Sequence, residues 1–75
     1  MAENVPRTSI LEKLIESHLL NLEYNMQKNR EARSLVEIFM IGKYIGEYES
    51  AGGKKTGEYI GKLADVIKSD YSKNS

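Results

Sequence analysis

The sequence contains a single histidine and no cysteine. Without Cys there are no disulfides, no thiolate zinc ligands and no cysteine nucleophile. An imidazole is the usual general acid–base near neutral pH, so His18 is the first residue to weigh. It falls seven residues after Leu11, on an apolar stripe. Glu16-Ser17-His18 lacks the three- or four-residue spacing that places metal ligands on one helix face. No Ser, Asp and His form a local nucleophile motif. The expectation for His18 is therefore a core or interface side chain that hydrogen-bonds locally. No catalytic residue, metal ligand or cofactor is expected, and the chain does not read as an enzyme.

Two further clusters invite chemistry. Gly52-Gly53-Lys54-Lys55-Thr56 has the composition of a phosphate-binding loop. The pattern G-x-x-x-x-G-K-[ST] is not met, because Lys54 stands where its second glycine belongs and no strand precedes it. Lys54 and Lys55 remain candidate contacts for an anion or nucleic acid, against the simpler reading of a solvated turn. Glu47 and Glu49 lie two residues apart, which points them in different directions on a helix, where they keep the surface soluble. Charge does not favour nucleic acid as a partner. Eleven Lys and Arg balance eleven Asp and Glu. Residues 1–50 carry six bases and eight acids, and residues 51–75 carry five bases and three acids. That asymmetry is mild, and phosphate neutralisation dominates nucleic-acid affinity.

The elements that carry these residues read as helices. Of the 75 residues, 40% are apolar and 29% charged, too hydrophobic for a disordered chain. No apolar run approaches the ~18 residues of a membrane span. No basic stretch followed by an apolar one marks an export signal, so a cytoplasmic protein without a membrane partner is expected. Residues 1–8 read as a flexible leader containing Pro6. Ser9-Ile10-Leu11-Glu12 fits a capping box. Leu11, Leu14, Ile15, His18, Leu22 and Met26 then recur at helical steps through about residue 28. Asn29 tolerates the left-handed conformation that ends helices. Ser34-Leu35-Val36-Glu37 is a second candidate capping box, opening a helix over 34–50. Its centre, from Leu35 to Ile41, is apolar nearly all round, which predicts burial on several sides. The glycine pair at 52 and 53 marks a loop, with Thr56 as a candidate N-cap. A third helix covers 57–71 with Ile60, Leu63, Ala64, Ile67 and Tyr71 on its stripe, and 73–75 form a frayed tail. One bent helix of about forty residues through the first two segments is a competing reading. A β-hairpin over 44–61 is another.

The hexapeptides Gly42-Lys43-Tyr44-Ile45-Gly46-Glu47 and Gly57-Glu58-Tyr59-Ile60-Gly61-Lys62 echo one another with their charges exchanged. On helices, Gly42 shares a face with Gly46, and Gly57 with Gly61. Such faces let two backbones approach closely. The expectation is close packing of the second helix on the third, with Lys43 and Glu47 facing Glu58 and Lys62.

Arg33-Ser34-Leu35-Val36-Glu37-Ile38, running on to Tyr44-Ile45, resembles the second helix of ribbon-helix-helix repressors. The resemblance covers about a quarter of the chain. It implies a Ser-capped helix packed in a dimer core, and a DNA-binding regulator. That family reads DNA with an N-terminal strand of alternating polar and apolar residues. Met1–Thr8 shows no alternation and contains Pro6, so no DNA-contacting residue carries over.

Taken together, the residues predict a small all-α bundle of two to three helices per chain, a single domain over 9–72. Homodimerisation is expected to complete it, because a chain this short without disulfide or metal seldom buries enough surface alone. Leu11, Leu14, Ile15, His18, Leu22, Leu35, Phe39 and Ile45 are the candidate core or dimer interface. Tyr44, Tyr48, Tyr59 and Tyr71 are candidate interface tyrosines. The expected function is a protein-interaction or adaptor module, acting on itself and on a further protein partner. A small DNA-binding regulator, either ribbon-helix-helix-like or winged, is the alternative.

Overall fold

The computed structural model describes residues 6–73, and their side chains as far as Ser69. They form three helices: α1 (Arg7–Gln27), α2 (Glu31–Ser50) and α3 (Thr56–Lys73). No strand occurs among the described residues. The segment 44–61 is helix, turn and helix, and the hairpin alternative is set aside.

Every helix starts a little earlier than its capping signals predict. The α1 helix begins at Arg7, inside the expected leader, because Pro6 at the N-cap position is already fixed near φ −58°. The Pro6 carbonyl accepts from the Ser9 and Ile10 amides, at 3.0 and 3.3 Å. The Ser9 capping box is therefore not formed, and Glu12 is engaged elsewhere. In α2, Arg30 occupies the N-cap position without a side-chain cap. Ser34 lies inside the helix, and its amide bonds the Arg30 carbonyl at 2.9 Å. Its buried Oγ has no hydrogen-bond partner among the described residues. The ribbon-helix-helix expectation of a Ser-capped helix thus fails at this residue, and Arg7 and Thr8 are helical rather than extended. The α3 helix starts at Thr56 itself, with the Lys55 carbonyl accepting from the Tyr59 amide at 3.0 Å.

The two turns share one construction. Asn29 takes φ 59°, the Arg30 amide bonds the Asn25 carbonyl at 2.9 Å, and the Asn29 amide bonds the Met26 carbonyl at 3.0 Å. Gly52 takes φ 91°, the Gly53 amide bonds the Tyr48 carbonyl at 2.9 Å, and the Gly52 amide bonds the Glu49 carbonyl at 3.0 Å. Both are Schellman endings, in which a left-handed residue lets two amides turn back on orphan carbonyls. Asn and Gly are the residues that enter this conformation at least penalty. The first turn separates α1 from α2, so the single bent helix is excluded.

The path is up, down, up. The α1–α2 hairpin is the most extensive contact, and α3 returns alongside α1, touching both helices more lightly. Leu11, Ile15, Leu19 and Leu22 of α1 meet Ile41, Ile45 and Tyr48 of α2, and Tyr59 of α3 closes the core. Leu14, Met26, Ile38, Tyr44, Leu63 and Val66 pack around it, partly buried. The buried positions of α2 recur at four- and three-residue steps, so only one side of that helix is covered. Within the chain, its apolar centre is therefore not buried on several sides. Leu35, Val36 and Phe39 are 67%, 57% and 78% exposed.

Candidate interaction face

Polar groups tie the three helices together at their edges. His18 Nδ1 lies 2.5 Å from Glu37 Oε1, joining α1 to α2, with both side chains mostly buried. The His18 ring also rests against Tyr44, with centroids 5.4 Å apart. One ring nitrogen and the ring itself are thus engaged by groups of its own chain. The Tyr48 hydroxyl donates to Glu12 at 2.8 Å and accepts the Lys55 amide at 3.1 Å. The Tyr59 hydroxyl donates to Glu16 at 2.9 Å. The two tyrosine rings meet edge to face at 5.5 Å, which suits their quadrupoles. Burial first, then the bond to Glu16 and the nearby charges of Glu16 and Glu12, push the Tyr59 phenol well above its ordinary value.

Tyr48 and Tyr59, expected at an interface, are core residues, 1% and 0% exposed. Glu12 and Glu16 are the acceptors that let these hydroxyls be buried. Sequence periodicity misses such pairs, since the apolar stripe says nothing about what a tyrosine tip will reach. Their four-residue spacing on α1 is the one signal that was present. Tyr71 lies outside the described side chains.

The glycine expectation is also corrected. A Cβ placed on Gly42, Gly46, Gly57 or Gly61 meets nothing within 4 Å. The α2–α3 contact is made by Tyr48 and Tyr59 instead, and the glycines face outward. Glu47 pairs with Arg7 at 2.8 Å, and Lys62 with Glu58 of its own helix at 3.4 Å, so the proposed cross-helix charge pairing does not form.

Among the other candidates, Leu11, Ile15, Leu22 and Ile45 are buried, while Leu14 and His18 are half-buried. Leu35 and Phe39 stand out in solvent together with Val36. Lys54 and Lys55 are exposed on the second turn. A second exposed cluster gathers at the other end, where Lys28 and Arg30 lie 5.6 and 5.8 Å from the Tyr24 ring centroid. Among the described residues, no three His, Asp or Glu side chains gather in a way that would hold a metal. None of the described helices is long and apolar enough to cross a membrane.

The outward face of α2 carries Leu35, Val36 and Phe39, three of the large exposed apolar residues. Ala32, Leu35, Phe39, Gly42 and Gly46 recur at three- and four-residue steps, which brings them onto one line along the helix. All five are exposed, and Val36 flanks them. The line lies roughly opposite Ile41, Ile45 and Tyr48. Comparison with known protein families, with curated proteins and with solved structures finds no match for this chain.

Proposed function

We propose that this chain is a small helical protein-interaction module that acts as a homodimer through the outer face of α2. The observation that carries the reading is the exposure of Leu35, Val36 and Phe39, within five residues of one helix. Scattered apolar residues on a surface are ordinary. Three large ones clustered on one helix face mark a place where another molecule sits. A thin core adds weight, because α3 contributes one fully buried side chain, Tyr59, among those described. The mechanism is removal of apolar surface from water, about 25 cal/mol for each Å².

The test is absolute mass by light scattering over a range of concentrations, on the parent chain and on Phe39→Glu. The expected result is a dimer that Phe39→Glu converts to a monomer with unchanged helical content. A parent chain that stays monomeric at high concentration overturns the homodimer. A titration with duplex DNA at increasing salt tests the regulator reading. Binding that falls steeply with salt is its signature.

A further inference from the structure

We propose that two copies of the chain pair antiparallel through α2, with Leu35 and Phe39 of each copy seated on Gly46 and Gly42 of the other. The proposal deepens the homodimer reading and rests on it.

The register follows from spacing along one line of the helix. Ala32, Leu35, Phe39, Gly42, Gly46 and Glu49 alternate three- and four-residue steps, the seam of a two-helix coil. When two such helices run antiparallel about a two-fold axis midway between residues 40 and 41, residue i meets residue 81 − i. Phe39 then faces Gly42, Leu35 faces Gly46, and Ala32 faces Glu49. Both bulky positions fall on glycines, and both glycines receive a bulky residue. A two-fold interface must be complementary to itself in this way. A parallel pairing would instead stack Phe39 on Phe39 and leave the glycines facing each other across a gap.

Two further observations agree. Gly42 and Gly46 have open space where a Cβ would be, so no contact among the described residues accounts for them. Each weakens a helix relative to alanine, and close approach of another backbone is the usual reason to keep one there. Leu35, Val36 and Phe39, exposed as they are, present on the order of 400 Å² of side-chain surface per chain. Two copies bring about 800 Å² before the glycine backbone, Ala32 and the Lys43 stem are added, which approaches the ~1,200 Å² of the smaller stable interfaces. In this register Glu31 of one copy comes beside Glu49 of the other at each end of the seam, a like-charge contact that is exposed and screened by salt.

The other glycine pair supplies the contrast. Gly57 and Gly61 also face open space, but among the described residues of α3 the one large exposed apolar residue is Ile60, 52% exposed. Seating Leu35 and Phe39 there would be a head-to-tail contact, which builds open chains rather than a closed pair.

Because the chain has no cysteine, introduced thiols report the register cleanly. Ala32→Cys and Glu49→Cys are prepared separately, mixed, and treated with a short bis-maleimide. The expected product joins Ala32→Cys of one copy to Glu49→Cys of the other. Ala32→Cys alone should not cross-link, since its two thiols would lie about 25 Å apart along the seam. Cross-linking of Ala32→Cys to itself would establish a parallel pair and overturn the proposal. A chain of dimeric mass with neither product would overturn the register and leave the dimer standing. A monomer would remove both.

A second set of variants asks whether the glycines are the seats. Gly42→Gln and Gly46→Gln should raise the dimer dissociation constant about tenfold or more, while Gly57→Gln and Gly61→Gln leave it unchanged. Glutamine is the better helix former, so lost folding cannot mimic the effect, and circular dichroism checks this. The reverse pattern would place the contact on α3 and overturn the antiparallel α2 pair.

Discussion

Gly53→Ala separates two accounts of the second turn by the sign of its effect. Gly52 supplies the left-handed residue there, and Gly53 does not share that conformation. If Gly53 were only a flexible loop residue, alanine would restrict the unfolded chain and stabilise the fold by about 0.4–1 kcal/mol. The structure predicts the opposite. A Cβ on Gly53 would overlap Cζ, Cε1 and Cε2 of the Tyr48 ring. That ring is 1% exposed, packs edge-on to Tyr59, and is fixed by Glu12 and by the Lys55 amide. It cannot step aside without straining the core or loosening those bonds. Overpacking of this kind costs about 1–3 kcal/mol, and a lost hydrogen bond about 1 kcal/mol. The expected result is a destabilisation of about 2 kcal/mol, after the unfolded-state gain is subtracted. Urea unfolding followed by circular dichroism, at one fixed protein concentration, reads it as a lower midpoint with unchanged slope. In a Tyr48→Leu background the penalty should shrink or change sign, which isolates the ring contact. A variant as stable as the parent, or an equal loss in both backgrounds, refutes the reasoning.

Other consequences are as direct. Tyr59 binds its proton more tightly folded than unfolded, so its contribution is complete below the ordinary tyrosine value of 10.0 and is lost as pH rises beyond it. Stability measured from pH 8 to 11 should fall at the alkaline end, and Tyr59→Phe should flatten that fall. Ser34→Ala removes a buried hydroxyl that has no partner among the described residues, from inside a helix. Thermal unfolding should show a gain of about 0.5–1 kcal/mol, whereas a capping serine would show a loss of about 1 kcal/mol.

The helices were legible because their stripes obey one rule, and three of the four α1 core positions follow from that rule. Leu19, at the edge of the stripe, is the fourth. The starts were less legible. Ser9, Ser34 and Thr56 have the chemistry of caps, yet the chain turns into each helix earlier, because a cap hydroxyl adds only about 1 kcal/mol and packing outweighs it. The outer face of α2 was invisible for a different reason. A run such as Leu35–Ile41 shows that a helix is apolar, and not how many neighbours it will have. The two echoing hexapeptides make the same point. Tyr59 is buried and Ile60 is exposed, whereas Tyr44 is half-buried and Ile45 is buried. One motif is rotated by about one residue in its second use, and only the neighbouring helices determine that rotation.

The glycines then bind folding to association. Gly42 and Gly46 each cost α2 about 1 kcal/mol against alanine, a large share of the roughly 4–11 kcal/mol that stabilises a domain of this length. Nothing among the described residues offsets that cost, since both positions face open space. A partner bound to the folded state does offset it. At a free concentration one hundred times the dissociation constant, binding adds about 2.7 kcal/mol, more than both glycines forfeit. The double variant Gly42→Ala/Gly46→Ala should therefore be the more stable chain when dilute and the less stable one when concentrated. Its melting temperature should rise little with concentration, while that of the parent rises by about 4–8 °C for each kcal/mol gained, so the two curves cross. Gly57→Ala/Gly61→Ala is the control. It should lift the parent curve at every concentration by a similar amount. Parallel curves for both double variants would mean that the α2 glycines play no part in association, and their placement opposite Leu35 and Phe39 would have no consequence.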